Sequence, residues 1–411
     1  MPSTTDISTR AGRAGKVVLG LGVVAAVLLG VLVFVRPTTV STGPDQVALH
    51  YSDGAFTPRR FQDCVSSSSR TWDGPGDKHY AYPSSQRNYV FGEMGDREPV
   101  TFVSKDGIEM SVDGVAAFRA HEADLVVSVG GGSPLDAGKL IALKTTHERP
   151  LHEYDDAIGG DAHISSNVPP ILNVPTTAGT GSEVGRSGVV TLAATGRKTV
   201  IFSPYLMAKA AILDPELTVS MPARVTAATG FDALTHCIEA YLSTGDHPMA
   251  DGIALQGIEL CAKHLPRAVE AGADLVARGA MMKAAMMGAV AFQKGLGVCH
   301  SLAHPLSSEK NMHHGLANAL LLPAVVDFNN VVVPERVERV RRLVDLTATS
   351  LSNALRGLRE KIGLPTGLGA EGITKADISK LSDKAMEDAC HRSNPRPCQR
   401  EDMVKLYELS L

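Results

Sequence analysis

Apolar residues follow three different patterns along this chain. The first is an unbroken run from Val17 to Val35, built only of Val, Leu, Ala, Gly and Phe. As a helix it reaches about 28 Å at roughly 1.5 Å per residue, near the ~30 Å hydrocarbon core of a bilayer. Arg10, Arg13 and Lys16 precede the run and Arg36 closes it. A secretory signal has a shorter apolar region, about 7–15 residues, and ends in a small-residue cleavage site that is absent after Val35. The pattern predicts a single transmembrane helix over 17–35, with residues 1–16 as a cytoplasmic N-terminus.

Alternation with period two marks the second stretch. Val100-Thr-Phe-Val103 and Ile108-Glu-Met-Ser-Val112 flank Asp106-Gly107 and predict a hairpin. Ser66–Ser69 and Asp73–Gly76 read as loops. Residues 37–119 are expected to form a small β-rich segment, in which His50 and His79 have no nearby partners and read as ordinary histidines.

The third pattern begins near Ala123. Asp124-Leu-Val-Val-Ser-Val129 is short, apolar and β-branched, as expected of a parallel strand buried on both faces. Ile171–Val174, Lys198–Phe202 and Ala210–Leu213 predict further strands. From Asp214 onward the periodicity is helical, as in Val337, Val340, Leu343 and Val344. An α/β part over 121–215 and a helical part over 216–411 follow from this order.

Composition narrows the reading. The net charge is −4, from 40 Lys+Arg against 44 Asp+Glu. So near-neutral a body has no general field for nucleic acid. With 39 Gly and only 5% aromatics, the chain suits an α/β protein with glycine-rich ligand loops. The six cysteines show no metal-type pair at two-residue spacing and are expected to be reduced and mostly buried.

Two glycine-rich loops follow predicted strands. Gly130-Gly-Gly-Ser133 leads into a helix, whose free N–H groups and positive end suit a phosphate. Thr176, Thr177, Gly179, Thr180, Gly181 and Ser182 form a second turn of small, hydroxylated residues. Open α/β sheets bind ligands at the carboxyl ends of their strands. Neither loop has the GxGxxG spacing of a standard Rossmann fingerprint. Further on, Asp232 and His236 stand four apart, as do His300 and His304, and His313 and His314 follow. One carboxylate and several imidazoles at helical spacing are good ligands for a divalent transition metal, and imidazole suits zinc and iron alike.

Taken together, Gly130–Lys139, Pro175–Glu183, Phe231–Ser243, Gly295–Pro305, His314–Asn329 and Asp388–Pro397 resemble the iron-containing (group III) alcohol dehydrogenase family over residues 121–411. The resemblance implies a nucleotide domain, an all-helical domain and a metal between them. It implies Asp232, His236, His300 and His314 as metal ligands, with His313 a neighbour outside the set. It implies His304 as the proton-transferring residue beside nicotinamide and substrate. Gly131, Gly132, Ser133, Asp136, Lys139, Thr176, Thr177, Thr180 and Lys198 become the cofactor residues. The implied cofactors are Fe2+ or Zn2+ and NAD, with NADP open, and the substrate is a small alcohol or aldehyde.

The family's first strands and their helices, with the acidic residue that reads the adenosine ribose, have no counterpart before Gly130. Residues 1–119 resemble the start of a membrane-anchored band-7 (SPFH) domain, through Gly43–Leu49 and Ser104–Val112. The expected architecture is therefore a transmembrane helix, a β-rich segment, a truncated Rossmann-like parallel sheet and an all-helical catalytic domain. The expected location is the membrane, single-pass, or the cytoplasm if the anchor is not used, with a homo-oligomer open. Alternatives are a polyol dehydrogenase, a sugar-phosphate cyclase, and a catalytically impaired membrane-anchored scaffold.

Overall fold

The computed structural model describes residues 121–191 and 198–411, residues 115, 118 and 119, and the backbone of strands between 38 and 112. The apolar run 17–35, the basic residues around it, the loops at 66–69 and 74–76, and Asp106-Gly107 lie outside the described residues. The chain divides into two compact units, 1–89 and 90–411.

In the first unit β1 (Thr38–Ser41) pairs antiparallel with β4 (Arg70–Asp73). A second antiparallel sheet has the order β3 (Arg60–Val65), β2 (Gln46–Ser52), β5 (Lys78–Pro83). The register of β2 and β5 sets His50 opposite His79, so the two histidines expected to stand alone are cross-strand neighbours. Their separation in sequence concealed this.

The second unit opens with the expected hairpin, β6 (Val100–Val103) and β7 (Glu109–Val112), with Val100 opposite Val112. A parallel sheet follows in the order β12 (Ala210–Ala211), β9 (Ile171–Pro175), β8 (Val126–Gly130). Helix α1 (Gly132–Thr146) leaves β8 directly and buries Leu135, Leu140, Ala142 and Leu143. Leu140 and Leu143 join Tyr154, Ile164, Val190, Ile201 and Leu206 in a compact apolar cluster. β11 (Lys198–Phe202) forms an antiparallel pair with β10 (Ser187–Thr191), apart from the parallel sheet.

β8 departs from expectation. Its apolar sequence predicts burial on both faces, yet Leu125, Val127 and Val129 are 41%, 52% and 56% exposed. Ser128, on the opposite face, is buried. α1 covers that opposite face, and β8 is the end strand of its sheet among the described residues. Among the described residues no second layer covers the Val127–Val129 side, the layer that such a strand normally acquires.

The rest is helical. α2 (Ala223–Leu242) is buried at every residue from Thr226 to Leu242, as befits a helix surrounded by others. Around it lie α3 (Pro248–Glu270), α4 (Leu275–Ala291), α5 (Val298–Lys310), α6 (His314–Asn330), α7 (Pro334–Val344), α8 (Leu351–Lys361), α9 (Lys375–Glu387) and α10 (Arg400–Leu409). Val337 and Val340 point inward from α7, as their spacing predicts. The stretch Leu275–Lys294 is long and apolar enough to cross a membrane. It instead inserts Ala277, Met281, Met282, Ala284 and Ala285 into the core.

Candidate metal centre and nucleotide cradle

The buried helix α2 must account for its polar side chains. Thr229 and Thr235 donate their hydroxyls to the carbonyls of Val225 and Phe231 at 2.8 Å, which satisfies them within the helix. Asp232, His236 and Glu239 remain, spaced so that they share one face. α5 brings His300 to that face and α6 brings His314.

Asp232, His236, His300 and His314 are all buried, and each offers one ligand atom within 4.8 Å of the others. The Asp232 Oδ1 lies 3.6 Å from His314 Nε2 and 3.9 Å from His300 Nε2. A tetrahedral ion with bonds of ~2.1 Å has ligand atoms about 3.4 Å apart, so these distances suit a metal. The rings are also ordered, with His236 stacked on His300 at 4.7 Å and 18°.

Two further side chains complete the centre. Glu239 Oε2 is 2.6 Å from His300 Nδ1, and its Oε1 accepts the Cys299 N–H at 2.7 Å. A proton held on Nδ1 by the carboxylate leaves Nε2 as the acceptor, which is the tautomer a metal needs. The Asn318 amide nitrogen donates to Asp232 Oδ1 at 2.7 Å and stands 3.3 Å from both His300 Nε2 and His314 Nε2. One carboxylate oxygen and two imidazole nitrogens thus converge on a single point, the convergence a cation requires. A buried carboxylate, 2% exposed, among imidazoles is a donor set that a divalent cation neutralises. The residues present therefore fit such an ion. His304 lies beside this cluster, its ring stacked on His314 at 5.2 Å and 15°. His313 forms the N-cap of α6.

The glycine-rich loops meet each other. Thr176 N–H donates to Gly130 O at 2.9 Å. A side chain at Gly132 would come within 2.9 Å of the Thr180 methyl, so glycine permits the close approach. Gly131 faces Thr177 in the same way. Ser133 lies in the first turn of α1, at the positive end of that helix. Gly179 lies against Thr229 of α2, one helical turn from Asp232, so the cradle abuts the candidate metal centre.

Asp136 and Lys139 stand behind this cradle. Lys139 is wholly buried, and its ammonium donates to Ser182 O, Ser182 Oγ and Ser187 O at 2.7–2.8 Å. Asp136 accepts from Ser182 Oγ at 2.5 Å and from Val189 N–H at 3.2 Å. Together they tie the second loop to α1. Lys198 begins β11, and its side chain lies outside the described residues.

Glu239, Asn318 and Asp388, whose carboxylate holds the His304 ring, were missed by the sequence reading. Glu239 was open to detection, three residues beyond His236 on the same face. Asn318 repeats the four-residue spacing from His314, but an amide carries no metal signature. Asp388 has no spacing signal at all.

A cradle of glycine and small hydroxylated residues against a buried carboxylate–histidine cup is the arrangement expected of the dinucleotide-linked, metal-dependent oxidoreductases. Residues 103–215 match the family described as iron-containing alcohol dehydrogenase, and 226–411 match its C-terminal part. The chain is 44% identical to 4-hydroxybutyrate dehydrogenase of Cupriavidus necator, over 72% of this chain and 80% of that protein. It is 35% identical to the NAD-dependent methanol dehydrogenase of Bacillus methanolicus, over 73% and 80%. The crystal structure of a 1,3-propanediol oxidoreductase superposes with a TM-score of 0.69 at 38% identity, covering 73% of this chain and 80% of that one. The chain belongs to the iron-containing alcohol dehydrogenase family, and its activity is that of a metal-dependent alcohol dehydrogenase. The match begins at residue 103, so Ser104–Val112, read as band-7-like from its strand pattern, falls within the dehydrogenase range.

Proposed function

We propose that this chain interconverts a primary alcohol and its aldehyde, using NAD and a single Fe2+ or Zn2+ ion held by Asp232, His236, His300 and His314. The observation that carries the reading is the convergence of one carboxylate and three imidazoles within 4.8 Å. When bound, the ion supplies Lewis-acid chemistry that makes the alcohol more acidic, and the dinucleotide supplies a hydride acceptor.

The protein's own residues do the rest. Glu239 fixes the His300 tautomer. Gly131, Gly132, Ser133, Thr176, Thr177 and Thr180 offer close backbone approach and hydroxyl donors for the dinucleotide phosphates, while Asp136 and Lys139 keep the loops together. His304 takes the alcohol proton, since imidazole gains and loses a proton near neutral pH. Similarity to proteins named for 4-hydroxybutyrate and methanol, both primary alcohols, supports the substrate class. The name of the Bacillus relative supports NAD.

Elemental analysis of the purified full chain with NADH absorbance as readout tests this. His300→Ala should lose the bound metal and the alcohol-dependent NADH signal together. Full metal content with full turnover in that variant would overturn the site. The apolar run 17–35 supports membrane anchoring in the same proposal. Partition of the full chain into the soluble fraction after gentle lysis would exclude the anchor.

A further inference from the structure

His304 is held from behind. Its Nδ1 is 2.7 Å from Asp388 Oδ2, at the end of α9 and 84 residues away in sequence. The other oxygen, Oδ1, accepts the Ser301 hydroxyl at 2.7 Å and the Cys390 N–H at 2.8 Å. Ser301 is itself buried and accepts the His391 N–H at 2.8 Å. The carboxylate thus sits in a rigid seat of three donors, one of which is the imidazole.

His304, Asp388 and Cys390 also bring their ligand atoms within 4.8 Å of one another, which a second cation could use. Two facts argue otherwise. Both Asp388 oxygens already accept hydrogen bonds. The Cys390 thiol is pushed well above its ordinary pKa by burial and then by the Asp388 charge, so it is not a ready thiolate. Burial alone would raise the Asp388 pKa, yet the hydrogen bond from His304, the charge of its ring when protonated, and the Cys390 and Ser301 donors hold it well below the carboxylate range.

The geometry points to Asp388 as a positioning residue for the dehydrogenase reaction. It keeps the proton of neutral His304 on Nδ1 and fixes the ring against His314, presenting Nε2 to the alcohol. The inference rests on the reading of His304 as the proton acceptor. In the oxidation, the alcohol O–H bond breaks and an Nε2–H bond forms. The electron pair of the carbinol C–H bond leaves as hydride to the oxidised dinucleotide that the family's activity supplies. Asp388 takes no part in bond making. Its work is orientation, as in other carboxylate–imidazole pairs of acid–base sites.

The test uses the metal-loaded full chain and the variants Asp388→Asn, His304→Ala and their double. Asp388→Asn should lower kcat about tenfold to a hundredfold. It should leave KM for the alcohol, bound metal per chain, dinucleotide affinity and Tm near wild type. The solvent isotope effect should rise as proton transfer becomes limiting. In the His304→Ala background, Asp388→Asn should have no further effect. Wild-type kcat in Asp388→Asn, or a loss that multiplies in the double variant, overturns the positioning role. Loss of a second metal equivalent overturns it in favour of a cation site. If His304→Ala keeps wild-type kcat, the reading of His304 itself fails, a result distinct from the failure of Asp388 alone. Should Asp388→Asn not fold, Ser301→Ala removes one donor to the same carboxylate. It should give a smaller kcat loss that likewise vanishes in the His304→Ala background, and a loss that persists there counts against the proposal.

Discussion

At the scale of single residues, the candidate centre depends on side chains outside the proposed ligand set. Glu239 accepts one hydrogen bond from the His300 ring and one from the Cys299 backbone N–H. Glu239→Ala removes both acceptors and frees the imidazole to turn. The expected result is metal affinity about 10–100-fold weaker, measured by competition with a chelator of known affinity. Unchanged affinity would show that packing alone holds the ring. The four metal-binding candidates were legible because helical spacing and a family resemblance both mark them. Glu239 was overlooked because a buried carboxylate on an apolar helix has no sequence sign that separates orienting a ligand from being one. Asp388 opens one of the stretches that carry the resemblance, but its role was illegible, because its partner arrives through tertiary packing of α9 against α5.

At the scale of elements, the centre is set by how closely α6 crosses α2. A Cβ at Gly315 would stand 2.1 Å from the Ala228 carbonyl oxygen and 3.1 Å from the Asp232 Cβ. Gly315→Ala must therefore push α6 away and carry His314 from Asp232. It should cost about 1–3 kcal/mol in denaturant unfolding, with a matching loss of bound metal. Full metal occupancy in a stable variant would mean that the two helices adjust without disturbing the site. The strands were read from β-branched runs with fair accuracy, including the hairpin β6–β7. The misreading of β8 is instructive. Val127 and Val129 have the composition of doubly covered positions, but composition records what a strand prefers and not whether a second layer is present. β10 escaped notice because Ser187-Gly188 at its start reads as loop.

At the scale of the whole molecule, charge networks join helices that also share the apolar core. Asp251 on α3 accepts from Lys294 at 2.5 Å and from Arg336 on α7 at 2.7 Å. Lys294 is only 1% exposed, and Asp251 is its charged partner beside the Tyr241 carbonyl. Burial raises the Asp251 pKa, but the Lys294 and Arg336 hydrogen bonds and charges outweigh it and hold the carboxyl below its ordinary value. A carboxyl depressed in the folded state stabilises above the unfolded value of about 3.9 and loses that contribution as pH falls through the folded value. Asp251→Asn should therefore cost about 2 kcal/mol at pH 7, where it strands a buried ammonium, and progressively less below about pH 4. Urea melts of both proteins at pH 7 and pH 3 check the sign, and a cost that grows on acidification would refute it. All four candidate ligands come from α2, α5 and α6, and none from the sheet. Cobalt(II) loaded into the intact protein should consequently take on the visible absorption of a tetrahedral complex before any nicotinamide is added. The colour would report the cup's assembly even in a preparation that turns over no alcohol.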